Sequence, residues 1–359
     1  LIILIASPDK NLYELRTLLK KSNKYKKFFQ RESWSINLEI RILLKKYRLS
    51  ESAKREEIYW IKKSNFDIVI SSLHAPSIYA AFAKLGLSRL SLIVCEESSS
   101  NAPVPFYKRF LFYLSSLISN FLVVNSYHEA KLKKQIPGRK KKIKVIWNGF
   151  NVDEISFGRN ISNLSEGIKQ ILVVGRQVYA KNGLNFMMGL SLFESRNGWL
   201  PEIIWIGRRD NDKRSAKDFR SIEMQNKMDL LLESSEALKK TWNWIESVEN
   251  IYDYYNTSDA LIIPSLYEGL PLVLCEAMLS GCFVITSSVC DHPKIIGNDE
   301  RGLLCDPVSP ESICNSIEKL NKMDPKKRTK TVSNARDYAY KSFNFDEMLS
   351  KYEALFPKT

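Results

Sequence analysis

Histidine is scarce in this 359-residue chain: His74, His128 and His292 are all it holds. No two of them fall at a zinc-ligating spacing, so no metal site is expected. The six cysteines, Cys95, Cys275, Cys282, Cys290, Cys305 and Cys314, form no C-x-x-C pair and lie mostly in apolar segments. That pattern argues against a disulfide framework and for free core thiols in a reducing compartment. A membrane span is also missing. The longest apolar stretch of the first half, residues 106–125 (FYKRFLFYLSSLISNFLVVN), is broken by Lys108, Arg109 and several Ser and Asn, and reads as a helix running into a strand. No secretory signal, internal repeat or low-complexity tract is seen. What remains is 44% apolar and 26% charged, the composition of a globular protein long enough for two domains.

Acidic residues are sparse in one half only. Residues 1–150 carry 28 Lys and Arg against 11 Asp and Glu, a balance of +17, while the remainder carries −3. Such asymmetry points to an anionic partner for the first domain. No nucleic-acid-binding signature accompanies the charge, so no nucleic acid is expected. Residues 20–31 (KKSNKYKKFFQR) mix Lys with aromatics as an interfacial segment does, which favours an anionic membrane surface or an acidic acceptor, with an ordinary solvated surface as the alternative. The basic run at 131–144 reads as surface, with a membrane-facing role open. A cytoplasmic protein resting on the inner membrane face is the simplest setting.

Strand-like runs at 1–6, 36–42, 67–71, 91–95, 121–125 and 143–147 alternate with helical stretches, and a second series follows at 171–175, 202–207, 242–245, 259–264, 282–286 and 302–305. This predicts an α/β protein with two doubly wound parallel sheets: a first domain at 1–150, a polar linker at 156–170, a second domain at 165–339, and a segment 340–359 that packs back on the first.

Within residues 264–305, Glu268 and Glu276 stand at E-x7-E spacing. Glu268 falls in the loop after the apolar run 259–264, at the carboxyl end of a parallel strand, where ligands of open α/β sheets bind. Pro271 is expected at the first position of the helix LPLVLCEAML, whose opening amides near Gly269 and Leu270 suit a phosphate. Glu276 lies inside this largely apolar helix. A dry carboxylate there costs several kcal/mol, on the order of an unpaired buried charge, unless a donor reaches it; a sugar or ribose hydroxyl would serve, and a solvent stripe or a nearby Lys is the alternative. His292 reads first as a turn residue before Pro293, and second as a group lining the site.

This stretch resembles the retaining nucleotide-sugar glycosyltransferases of family 4, which have the GT-B fold: the pattern PS-x-x-EG-x-P-x-x-x-x-EA-x-x-x-G followed by a strand is met in full. Upstream, residues 171–183 (ILVVGRQVYAKNG) resemble the family's strand, Gly-Arg and Lys-Gly loop, residues 145–157 resemble its segment joining the two domains, and SFNFDEMLSKYEALF its closing helix. The likeness runs over roughly residues 67–356.

The resemblance implies two Rossmann-like domains facing across a cleft. It implies transfer of a sugar from a nucleoside-diphosphate sugar, UDP-sugar favoured, to a glycan or lipid-linked acceptor with retention. Gly175, Arg176 and Lys181 would hold the donor diphosphate with the Gly269 and Leu270 amides, Glu268 the sugar hydroxyls and Glu276 the ribose, while the backbone near Val248 would meet the base. Glu268, Arg176 and Lys181 are the residues expected to carry the reaction, without a metal or other cofactor. On the acceptor side Glu96 and Glu97 stand where many relatives carry a His; a solvated acidic loop is the alternative. The opening LIILIASPDK looks like the family's second strand, so an N-terminal truncation is expected. Two other readings stay open: a nucleotide-sugar epimerase on the same fold, and a silent sugar-nucleotide-binding partner subunit.

Overall fold

The computed structural model describes residues 66–96, 104–152, 166–209 and 219–357, together with the backbone of 3–6 and the single positions 61 and 155. The expected strand 36–42, the segment 20–31 and most of the linker lie outside the described residues. The chain divides into two units, Leu1–Phe150 with Phe345–Thr359, and Asn151–Asn344.

The first unit is built from β1 (Ile3–Ala6), β2 (Ile68–Ser72), α1 (His74–Lys84), β3 (Ser91–Glu96), α2 (Phe106–Ile118), β4 (Phe121–Val124), α3 (Tyr127–Lys134) and β5 (Ile143–Val145). Its five strands lie in the order β1-β2-β3-β4-β5, all parallel. Strands β2 and β3 are buried along their whole length, which is why they read as unbroken apolar runs. The pleat sorts them onto two faces. Val69, Leu92, Val94, Leu122 and Val124 meet Ala80 of α1 and Phe112 of α2. Ile68, Ile70, Ile93, Cys95 and Val123 meet Phe345, Met348 and Tyr352 of the C-terminal helix Phe345–Glu353. The chain enters that helix through a bond from the Phe345 amide to the Phe150 carbonyl (3.1 Å).

The second unit runs β6 (Gln170–Val174), α4 (Gly183–Asn197), β7 (Glu202–Ile206), α5 (Phe219–Ser234), α6 (Glu236–Thr241), β8 (Trp242–Ile245), α7 (Tyr252–Thr257), β9 (Ala260–Ile263), α8 (Leu272–Leu279), β10 (Phe283–Ser287), α9 (His292–Ile296), β11 (Leu303–Cys305), α10 (Pro310–Asn321) and α11 (Pro325–Ser342). The strand order is β11-β10-β9-β6-β7-β8, again parallel. Strand β6 has β7 on one side and β9 on the other, so the chain winds outward from the β6/β9 pair in both directions. Loops leaving the carboxyl ends of these two strands therefore diverge, and the crevice between them is the place where such sheets bind ligands. At the opposite end of the sheet, Arg328 of α11 is buried and donates to the carbonyls of Gly167 and Asp259, while the Asp259 carboxylate accepts from the Lys169 and Gln170 amides.

All six cysteines are free; five are buried and Cys290 is half-buried. Among the described residues no helix is long and apolar enough to cross a membrane.

Candidate active site

Strand β6 ends in a glycine that the site requires. Gly175 has φ +145°, its carbonyl accepts the Trp205 indole N–H at 2.8 Å, and a Cβ there would press on the Lys181 side chain. Gly207, at φ +151°, lies so close that a Cβ would overlap the Gly175 carbonyl. Two glycines at the ends of adjacent strands thus let the loop after β6 fold flat across the sheet. That loop carries Arg176, exposed at its tip, and closes in a 3-10 turn, Tyr179–Lys181. Asn182 ends the turn in the left-handed region (φ 57°), and its side-chain amide donates to the carbonyls of Pro264 and Pro307, fixing the start of α4 against the loop after β9.

The two loops meet through Lys181 and Glu268. The ammonium of Lys181 lies 2.5 Å from Glu268 Oε1, the Ser265 hydroxyl donates to the same oxygen at 2.7 Å, and the Leu266 amide donates to the Ala180 carbonyl at 2.8 Å. Burial pushes the Glu268 carboxyl up, but the nearby Lys181 charge and the hydrogen bonds from Lys181 and Ser265 outweigh it and hold the group below the usual carboxylate value. Both bonds end on Oε1, so Oε2 keeps its acceptor capacity. A Lys ammonium has three donors, and one is spent on Glu268.

Next to this pair, α8 begins without a side-chain cap. Pro271 is the cap residue (φ −75°, ψ 104°) and not the first helical residue expected, because its ψ is extended. Among the described residues no hydrogen bond uses the amides of Gly269, Leu270, Leu272 or Val273, so the residues that follow Glu268 keep a run of N–H donors of the kind an anion site needs. The loop is pinned from behind by Cys290, whose thiol donates to the Glu268 carbonyl (2.9 Å) and accepts from its amide (3.4 Å).

Glu276 departs from the expectation of a dry carboxylate. It is half-buried, and the buried Tyr255 hydroxyl of α7 donates to its Oε2 at 3.0 Å. Burial and the Glu276 charge raise the Tyr255 pKa well above its ordinary value, so the phenol stays protonated as a donor. A ligand hydroxyl would add to this bond and not replace a missing one. Val248 is half-buried in the loop after β8, and its backbone makes no hydrogen bond among the described residues.

His292 is the first residue of α9, not the turn residue read first from the sequence, and it is fully buried. Its Nδ1 lies 2.6 Å from Thr286 Oγ1 and 2.9 Å from the Ser287 carbonyl, while Nε2 is buried without a partner. Tyr255 and Cys290 are neighbours of Glu276 and Glu268 that motif spacing does not reveal; Ser265 is the Ser of the PS-x-x-EG pattern, and His292 as a lining group is the second reading of its loop.

In the first unit, Glu96 is the last residue of β3 and is buried, which replaces the solvated loop considered from sequence. Lys133 of α3 donates to its Oε1 at 2.8 Å and lies 3.6 Å from Glu129; Oε2 is buried without a partner. Burial raises the Glu96 pKa against the pull of Lys133. Glu97 lies outside the described residues.

Known proteins match this architecture. The structure of Anabaena Alr3699/HepE in complex with UDP superposes with a TM-score of 0.73 over 99% of both chains at 15% identity, which shows the GT-B fold. An uncharacterized glycosyltransferase of Methanocaldococcus jannaschii is 28% identical over 58% of this chain. The UDP-Gal:alpha-D-GlcNAc-diphosphoundecaprenol alpha-1,3-galactosyltransferase of Escherichia coli is 23% identical over 82% of it. The chain spans about half the length of the first of these relatives (52%) and 76% of the second. Residues 154–338, just over half of the chain and nearly all of the second unit, match the profile of the glycosyl transferases group 1. The chain belongs to that family.

Proposed function

We propose that the protein is a retaining glycosyltransferase that takes a sugar from a nucleoside-diphosphate sugar, most favourably a UDP-sugar, and delivers it to a lipid-linked or glycan acceptor. The observation that carries this reading is the Lys181–Glu268 pair beside the unpartnered amides at the start of α8. A cation with two unused N–H groups and a helix N-terminus favour a diphosphate, and a carboxylate oxygen next to them that accepts no other bond favours sugar hydroxyls. The UDP held by the structural neighbour and the diphosphoundecaprenol acceptor named for the E. coli relative support the same pairing.

In this mechanism the bond between the anomeric carbon and the β-phosphate oxygen breaks while the acceptor hydroxyl approaches the same face. The departing phosphate oxygen takes the acceptor proton. Negative charge grows on that phosphate, so Arg176, Lys181 and the Gly269 and Leu270 amides bind the transition state more tightly than the ground state. Glu268 Oε2 orients the sugar, and Glu276, held by Tyr255, accepts from the ribose. The Val248 backbone meets the base through its unused amide and carbonyl. With cations already in place no metal is needed. The uneven charge supports a peripheral position on an anionic membrane at its cytoplasmic face.

The test is binding and turnover of UDP-, GDP- and ADP-sugars without metal, with product analysis. One donor bound and transferred with retention supports the reading. Inversion, an epimerised donor, or no nucleotide-sugar binding at all would discard it.

A further inference from the structure

Helix α2 is built inside out. Its core side carries Phe112, Ser115 and Ser116, all buried, followed by buried Ser119. The hydroxyls of Ser115 and Ser116 are satisfied by the Leu111 and Tyr113 carbonyls, and Arg139 donates to Ser116 Oγ at 2.7 Å. The outward side is apolar. Phe106 is 83% exposed, Phe110 50% and Leu114 38%, an i, i+4, i+8 row, with exposed Tyr107 beside them. A helix on the surface of a globular protein normally turns such a stripe inward and shows charge to water.

Cations frame this stripe. Lys108 and Arg109 are exposed at its first turn. At its end Lys142 donates to the carbonyls of Leu117 and Ser119, and Lys140 and Lys141 are exposed alongside. Residues 104–152 hold ten Lys and Arg against one acid, Glu129, and that acid is buried next to Lys133. Across from α2, α1 exposes Phe82 and Leu85. A groove of about 580 Å³ runs between the two helices, with Ile78, Phe82 and Leu111 in its wall and Lys108 among its lining residues.

We propose that this α1–α2 face docks on an anionic phospholipid bilayer. The row Phe106, Phe110 and Leu114 enters the boundary between headgroups and acyl chains, Lys108, Arg109, Lys140 and Lys141 take lipid phosphates, and the groove admits an acyl chain. Charge complementarity selects this occupant. A second copy would bring two cation-rich faces together, and a nucleic acid would leave the apolar row in water. The inference rests on the membrane-face position proposed above but not on the chemistry, so it can fail while donor binding succeeds.

The experiment is co-sedimentation of the full chain with vesicles of phosphatidylglycerol and phosphatidylcholine, and of phosphatidylcholine alone, at low and high salt. The wild type is expected to sediment with the anionic vesicles, less so at high salt and weakly with phosphatidylcholine. Phe106→Ser/Phe110→Ser and Lys108→Glu/Arg109→Glu should each lower the affinity about tenfold or more while donor binding and circular dichroism stay as in the wild type. The proposal is overturned if the wild type stays in solution with anionic vesicles, if both double variants sediment like the wild type, or if Phe106→Ser/Phe110→Ser instead converts a dimer to a monomer. The lipid and salt dependence of the wild type decides the matter even if a variant does not fold.

Discussion

Lys181 and Glu268 close a 2.5 Å ion pair between the loops of β6 and β9, the two strands from which the second sheet winds outward. The pair is part-buried and bonded on one carboxylate oxygen only, so it orients both partners without exhausting either.

Lys181→Ala is expected to lower kcat/KM for the donor by about 10²–10³-fold, the range for one preorganised donor to developing charge. Its effect on folding stability should be near 1 kcal/mol, as for a partly exposed pair. Steady-state kinetics and urea unfolding on the same variant separate the two. Equal losses in both would mean that Lys181 only holds the loops together.

Tyr255→Phe removes the phenol that donates to Glu276 and leaves the rest of α7 in place. Donor affinity by calorimetry should fall by roughly 1–3 kcal/mol for Glu276→Ala, the value of a charged hydrogen bond, and by less for Tyr255→Phe. If Tyr255→Phe binds donor as the wild type does while Glu276→Ala does not, Tyr255 has no part in orienting the carboxylate.

Gly207 and Gly198 both have positive φ, but only at Gly207 would a Cβ meet the Gly175 backbone; at Gly198 nothing lies within 4 Å. Gly198→Ala should therefore cost roughly 1–2 kcal/mol of backbone strain, and Gly207→Ala more than that together with donor binding. Thermal melts of the two variants check the order.

Burial lowers the His292 pKa from 6.5 to about 4, partly offset by Glu268 and the Ser287 carbonyl. Above pH 6.5 the imidazole is neutral whether folded or not. As the pH falls from 6.5 toward 4, the unfolded chain takes up a proton that the folded chain refuses, and stability declines by roughly 3 kcal/mol in full. Glu96, with its raised pKa, works in the opposite direction but equally in wild type and variant. The stability difference between wild type and His292→Gln, from urea unfolding at several pH values, should shrink as the pH falls through this window. A pH-independent difference would mean that His292 is not the group refusing the proton.

Chelation by EDTA is expected to leave transfer unchanged, since the proposed mechanism stabilises the leaving phosphate with cationic side chains and helix amides. A loss restored by magnesium would remove that part of the mechanism.

Much of the fold was legible because parallel strands buried on both faces are unbroken apolar runs: of the strand-like runs within the described residues, each became a strand whose ends lie within two residues of the run, as 259–264 became Ala260–Ile263 and 242–245 became Trp242–Ile245. That Lys181 and Glu268 meet could be anticipated from the resemblance of residues 171–183 and 264–281 to one family's loops, since each follows the carboxyl end of a strand of the same sheet. Tyr255 and Cys290 were not legible, since their partners Glu276 and Glu268 lie 21 and 22 residues away and only the fold brings them together; His292 reads first as a turn residue and only second as lining the site.

The sequence by itself determined the parallel α/β architecture, the positions of the loops that carry Lys181 and Glu268 and the concentration of positive charge in the first 150 residues, because each depends on local pattern and composition. Only the tertiary structure decided that Glu276 already has a phenol donor, that Glu96 is buried against Lys133, and that α2 turns its aromatic side outward. Those are questions of which face meets which neighbour. Periodicity shows that a helix has two sides, and the packing of Phe112 into the core, with Ser115 and Ser116 buried beside it, decides which one water sees.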